Sequence, residues 1–309
     1  MYKKIPIKFL LALFCILLLA VVLVQLSEQE KGKRSFSGPL LDFEANTVSR
    51  INIFPRVMQG KKLELNKIND QWMLTTPDQK SYQADQQTVS SLLNGLNGLK
   101  PEGVASERKD HWNTYSVSDS LGTRIKLFKG SETLAELIFG KVSYASRGTS
   151  SYVRLANNKT TYRIRGSQAS ACNRDADGFK NKTVVRFSPG EADMFRFSYP
   201  ADSSIVLSRD EDKWKAGEQA ADSAAVARLL NTLSRLNHYQ LTDKLPGGPP
   251  LFRLIITGKM DGGPIELNGY QEKDHFVVSS SQNPDVWFEG TSLRDKIFPA
   301  QSSFLPKKD

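Results

Sequence analysis

Asp85-Gln86-Gln87-Thr88-Val89-Ser90-Ser91-Leu92-Leu93-Asn94-Gly95-Leu96-Asn97-Gly98-Leu99-Lys100 reads as one amphipathic helix. Val89, Leu92, Leu93, Leu96 and Leu99 fall at i, i+3, i+4, i+7 and i+10, a single apolar stripe. Asp85 can cap the first turn, and Pro101 stops the helix because it has no backbone N–H to donate. Gly95 and Gly98 weaken it. The same stripe returns later: Asp222 opens a second helix carrying Val226, Leu229, Leu230, Leu233 and Leu236. Such a stripe needs an apolar surface to cover, so what flanks the two helices decides the fold.

Both are flanked by strand patterns in the same order. Val48–Ile53 alternates apolar and polar residues, as does Lys62–Asn66, and Gln71–Leu74 follows the Asn69-Asp70 turn as a hairpin partner. After the first helix come candidate strands at Arg124–Phe128, Thr133–Phe139, Ser151–Leu155 and Thr161–Ile164, separated by Gly, Ser and Asn. In the second series, Met194–Phe197, Ser204–Leu207 and Lys213-Trp214 precede the helix. Leu251–Ile256, Pro264–Asn268, His275–Val278 and Val286–Phe288 follow it. The ends also correspond, Gly178–Lys182 with Ser292–Lys296. The expected class is therefore α+β: an N-terminal transmembrane helix, then two repeated units, each an antiparallel sheet with one main covering helix. Expected boundaries are an anchor at 1–26, a tether at 27–40, repeats at 41–183 and 184–300, and a polar tail at 301–309. Trp72 and Trp214 are expected at the seam between sheet and helix.

The anchor is the uncharged run Phe9–Val24, which starts just after Lys3, Lys4 and Lys8. With Ile5–Ile7 and Leu26 it approaches the ~20 residues that cross a bilayer core. A cleaved signal peptide is the competing reading, but Val24-Gln25-Leu26-Ser27-Glu28 has no small-x-small site. Cys15 follows Leu13-Phe14 in mid-run, which argues against lipidation. The N-terminal lysines favour an inside N-terminus and a body on the far side, in the periplasm of a bacterial cell.

The chain carries a net charge of +9 with no long basic run, and no nucleic-acid reading motif accompanies it. Lys31, Lys33 and Arg34, just beyond the anchor, are candidate contacts to an anionic surface. The two cysteines, Cys15 and Cys172, cannot pair within a chain whose anchor lies in lipid. His111, His238 and His275 form no metal-type doublet, and no cofactor motif is present. A hydrolase would need a spatial cluster such as Cys172 with His111 or His238. The connection His111–Val117 has no counterpart in the second repeat, where a Gly247-Gly248-Pro249-Pro250 loop stands instead. Its His111, Trp112 and Tyr115 are the candidate partner or ligand contacts.

The anchor, Val48–Ile53, the Leu63–Trp72 hairpin, the Val89–Leu99 helix, Trp112-Asn113-Thr114-Tyr115, Gly122-Thr123-Arg124, Gly140-Lys141, Tyr152-Val153-Arg154, Tyr162 and Phe179–Val184 together resemble the bacterial DUF4340 family. This resemblance implies a membrane-anchored extracytoplasmic protein associated with ABC-2-type transporter subunits, and it carries no catalytic residues. Asn181 stands where the family usually has an acidic residue. The expected function is a non-enzymatic, periplasmic accessory or scaffold protein held at the inner membrane. The alternative is a module binding glycan, peptide or lipid between the repeats. Deleting residues 1–26 is expected to move the protein from the membrane to the soluble fraction on ultracentrifugation. Persistence of the truncated protein in the membrane pellet would remove the anchor reading.

Overall fold

The computed structural model describes residues 38–306, apart from 147, 212, 273 and 274, together with Leu17. The expected anchor Phe9–Val24, Leu17 excepted, and the cations Lys31, Lys33 and Arg34 lie outside the described residues. Among the described residues no helix is long and apolar enough to cross a membrane.

The first series of elements is β1 (Arg50–Phe54), β2 (Leu63–Ile68), β3 (Gln71–Thr75), β4 (Ser81–Gln83), α1 (Gln86–Asn97), β5 (Pro101–Ser106), β6 (Thr123–Lys129), β7 (Glu132–Ala145), β8 (Gly148–Leu155), β9 (Thr161–Arg165) and α2 (Gln168–Cys172). After β10 (Thr183–Arg186) the second series is β11 (Ala192–Ser198), β12 (Ser204–Asp210), β13 (Lys213–Ala216), β14 (Gln219–Ala220), α3 (Ser223–Leu233), β15 (Arg235–Asn237), β16 (Leu241–Thr242), β17 (Phe252–Gly258), β18 (Ile265–Glu272), β19 (His275–Ser280), β20 (Trp287–Glu289) and α4 (Thr291–Ile297). By compactness the chain divides into two units. One ends at Glu64 and resumes over Ser90–Asp175; the other comprises Leu65–Val89 and everything from Ala176.

Among the described residues the first sheet has nine strands in the order β4-β3-β2-β1-β6-β7-β8-β9-β5. The second has nine in the order β14-β13-β12-β11-β17-β18-β19-β20-β16, the same path strand for strand. Central pairs are apolar and register-matched. Ile51 faces Leu127 and Ile53 faces Ile125 across β1 and β6. Phe195 faces Ile256 and Phe197 faces Leu254 across β11 and β17. All eight side chains are buried, as the two-residue period of a half-covered sheet requires. A small third sheet pairs β10 with β15.

The helix stripe does what its spacing requires. Val89, Leu92, Leu93 and Leu96 are buried on α1, and Val226, Leu229 and Leu233 on α3, where Leu230 is half-buried; Leu99 beyond α1 and Leu236 on β15 are buried outside the helices. At roughly 2 kcal/mol per buried side chain, each stripe is a major part of its core. Asp85 accepts a hydrogen bond from Thr88 N at 2.7 Å, and Asp222 accepts one from Ala225 N at 2.7 Å. The backbone N–H of Asp85 donates to Phe179 O at 2.8 Å, and that of Asp222 donates to Phe304 O at 2.9 Å. Both phenylalanines are buried. Phe304 therefore corresponds to Phe179, whereas Ser292–Lys296, the expected match of Gly178–Lys182, lies in α4. The tryptophan strand joins the helix start similarly in both: Ala84 N bonds Trp72 O at 3.0 Å, and Ala221 N bonds Trp214 O at 2.9 Å.

Several elements differ from the expected pattern, among them α3, which stops at Leu233 and leaves Leu236 on β15. α1 stops at Asn97, and Pro101 opens strand β5, which pairs with β9. Proline is tolerated there because the first residue of an edge strand can lack an N–H. Each series also adds a short second helix: α2 packs on β6, β7 and β8, and α4 packs on β19. Five and seven residues are too few to display a helical period. Asp85→Ala and Asp222→Ala are each expected to cost about 1 kcal/mol. Urea unfolding followed by circular dichroism measures this, and an unchanged midpoint would show that the cap at that site contributes no stability.

Candidate functional site

The chain between β5 and β6 holds His111, Trp112 and Tyr115. It is folded by its own backbone bonds, Val117 N to Trp112 O at 2.8 Å and Gly122 N to Ser118 O at 2.9 Å. All three side chains are half-buried, and the polar atoms described on them engage the protein itself. His111 Nδ1 lies 2.9 Å from Ser106 Oγ. Trp112 Nε1 donates to Lys159 O at 2.9 Å, and the Tyr115 hydroxyl donates to Ala105 O at 3.1 Å. The Tyr115 ring packs at 4.7 Å on that of Tyr152. What faces solvent is Asn113, Thr114, Asp119, Ser120 and Leu121.

Arg154, on β8, is the centre of this loop. Its side chain is 1 % exposed, and its guanidinium carbon lies 3.7 Å from the Trp112 ring centroid. Nε donates to Val117 O at 2.7 Å and Nη1 to Ala156 O at 2.9 Å, while Nη2 reaches Asp119 Oδ1 at 2.7 Å. A planar fork with five donors suits this task, binding three carbonyls, Leu155 O at 3.4 Å included, and a carboxylate while stacking on an indole. Burial lowers the pKa of Arg154 and Asp119 opposes the shift; a guanidinium stays charged regardless. Sequence reading found the loop but not its centre. Arg154 follows buried Val153 on the same strand, so strict alternation places it outside, and only the fold shows it inside.

A pocket of about 280 Å³ adjoins the loop, lined by Arg56, Leu121, Thr123, Lys141, Ser170 and Asn173 among others. Lys141 N donates to Tyr115 O at 3.1 Å, joining pocket and loop. Gly140 permits that approach: a Cβ there would stand 2.0 Å from the Tyr115 carbonyl oxygen. Gly122 is similarly placed, 2.3 Å from an Ile138 methyl. The pocket floor is a relay. Arg56 N donates to Thr123 Oγ1 at 3.3 Å, Thr123 Oγ1 donates to Asn173 Oδ1 at 3.1 Å, and Val57 N donates to the same oxygen at 2.9 Å. These residues come from β6 and from segments beside β1 and α2, and no sequence motif links them.

Among the described residues no hydrogen bond joins Cys172 to a histidine. Cys172 is 1 % exposed, and burial raises its thiol pKa well above the usual range, against thiolate formation. His238 Nε2 lies 2.7 Å from Glu289 O, and His275 Nδ1 lies 2.7 Å from Glu289 Oε1. Replacing Arg154 by methionine leaves two carbonyls without donors and is expected to cost about 2–4 kcal/mol. Asp119→Asn is expected to cost less than about 1 kcal/mol because that carboxylate is 74 % exposed. Guanidinium unfolding followed by tryptophan fluorescence measures both; equal costs would contradict the central role of Arg154.

Comparison with known proteins gives one finding. A family model described as "Domain of unknown function (DUF4340)" matches residues 72–247. No curated protein and no solved structure matches the chain. The match runs from Trp72 on β3 through both long helices to the glycine-proline loop, and it holds the Trp112 loop, Arg154 and most of the pocket. Covering more than half of the 309 residues, it places this chain in the DUF4340 family.

Proposed function

We propose that this protein is a non-enzymatic accessory or scaffold subunit, held at the bacterial inner membrane by Phe9–Val24, with its body in the periplasm. Its partner is a subunit of an ABC-type export complex. The observation that supports this reading most is the loop around Arg154. It is fixed internally by stacking and hydrogen bonds, yet presents Asn113, Thr114 and Leu121 outward. A rigid, partly apolar projection on one of two matching sheets suits protein recognition, since little conformational entropy is lost on docking. In the second series the corresponding connection is the Gly247–Pro250 loop, so the two copies offer different surfaces. Tethering to the membrane would raise the local concentration of this surface toward membrane partners.

A second reading, a ligand-binding module for glycan, peptide or lipid, is supported by the pocket beside the loop. The two readings separate by mutation. Asn113→Arg with Thr114→Arg alters exposed loop residues without touching the pocket. Under the scaffold reading, membranes solubilised in mild detergent yield transporter subunits with the tagged wild-type protein. The double variant is expected to lose at least about 90 % of that recovery, because two unpaired charges are placed in the docking surface. Undiminished recovery with the variant would move the interface elsewhere, and no stable associate with the wild type would remove the scaffold reading.

A further inference from the structure

The pocket beside the loop is lined by hydrogen-bond donors and by no carboxylate. Elsewhere on the same sheet, cations share acids. Arg124 and Lys126 meet Glu136, and Arg163 and Arg165 meet Glu102. Arg56 and Lys141 form no ion pair among the described residues, although both line the pocket and are exposed. The Lys141 ammonium lies 5.9 Å from the Tyr115 ring centroid, on the loop side.

The floor relay determines what the neutral groups can offer. Val57 N–H can only donate, so the Asn173 atom facing it is the amide oxygen. That oxygen also takes the Thr123 hydroxyl proton, which leaves the Asn173 NH₂ as a donor without a partner among the described residues. Thr123 in turn fixes the backbone of Arg56. Ser170 adds a hydroxyl at the rim. Arg56, Lys141, Asn173 and Ser170, which carry one guanidinium, one ammonium, one amide NH₂ and one hydroxyl, therefore line a space of about 280 Å³. Two cations and two neutral donors, with no carboxylate among the lining residues, suit the charge and the several oxygens of a phosphoryl group.

We infer that this pocket binds a phosphoryl anion, either inorganic phosphate or the phosphodiester of an anionic lipid headgroup. The site shares Leu121 with the outward face of the loop but neither Asn113 nor Thr114, and it stands whether or not the loop binds a partner.

Full-length protein in dodecyl maltoside is titrated calorimetrically with inorganic phosphate, and separately with short-chain phosphatidylglycerol below its micellar concentration. Saturable binding of phosphate alone assigns a free anion, and binding of phosphatidylglycerol alone or more tightly assigns a lipid headgroup. Arg56→Gln with Lys141→Gln is expected to weaken binding at least about tenfold, the loss of charge-assisted hydrogen bonds. Lys213→Gln with Lys259→Gln, which removes the same charge from exposed positions elsewhere, is expected to leave it unchanged. Ser170→Glu keeps both cations and adds a carboxylate to the pocket, so it is expected to abolish binding while preserving the melting temperature; it decides the matter if the double variant misfolds. Binding of neither probe, equal losses in the two double variants, or full binding by Ser170→Glu would overturn the inference.

Discussion

A single backbone hydrogen bond, made twice, sets the architecture. The N–H of Asp85 bonds Phe179 O, and the N–H of Asp222 bonds Phe304 O. Each joins the start of a long helix to chain far downstream. The aspartate side chain meanwhile caps the first turn, so donors that a helix start leaves open are satisfied locally and at long range together. In both copies the carbonyl belongs to a buried phenylalanine. An antiparallel sheet cannot leave its apolar face in water, and this fastening holds the cover in place against the entropy of a long closed loop.

The repeat of this device explains how much of the fold was legible in the sequence. Val89–Leu99 and Val226–Leu236 carry a period that burial imposes, and the central strands carry theirs, so helix, strand and order could be read in series. Edge elements could not. β5 is Pro-Glu-Gly-Val-Ala-Ser, which shows no alternation, and its strand character comes from pairing with β9 alone. The short helices α2 and α4 follow from packing on a sheet that already exists. The ends of the repeats were misaligned because a similar run of residues, Ser292–Lys296, competed with the single residue Phe304, whose importance lies in its carbonyl.

The candidate site divides along the same line. An unrepeated aromatic stretch stands out in a duplicated chain, and so His111, Trp112 and Tyr115 were visible. Their roles were not, because each is defined by a remote partner: Ser106, Lys159 and Ala105. Arg154 breaks strand alternation, and the pocket groups Arg56, Thr123 and Asn173 share no local pattern. The copies have also diverged in matched positions. Ser91, Leu92 and Gly95 on α1 line a groove of about 340 Å³, whereas Arg228, Leu229 and Thr232 on α3 line one of about 270 Å³ beside Asp295 and Lys296. The same helical face thus carries Ser91 and Gly95 in one copy and Arg228 and Thr232 in the other.

The bond from Lys141 N to Tyr115 O has a mechanical meaning. Lys141 forms part of the pocket wall, while Tyr115 belongs to the loop, and Gly140 keeps the two backbones too close for any side chain to stand between them. Loop and wall are therefore welded into one rigid lever. The seam is thus a direct backbone connection through which a ligand in the pocket and a partner on the loop would act on each other.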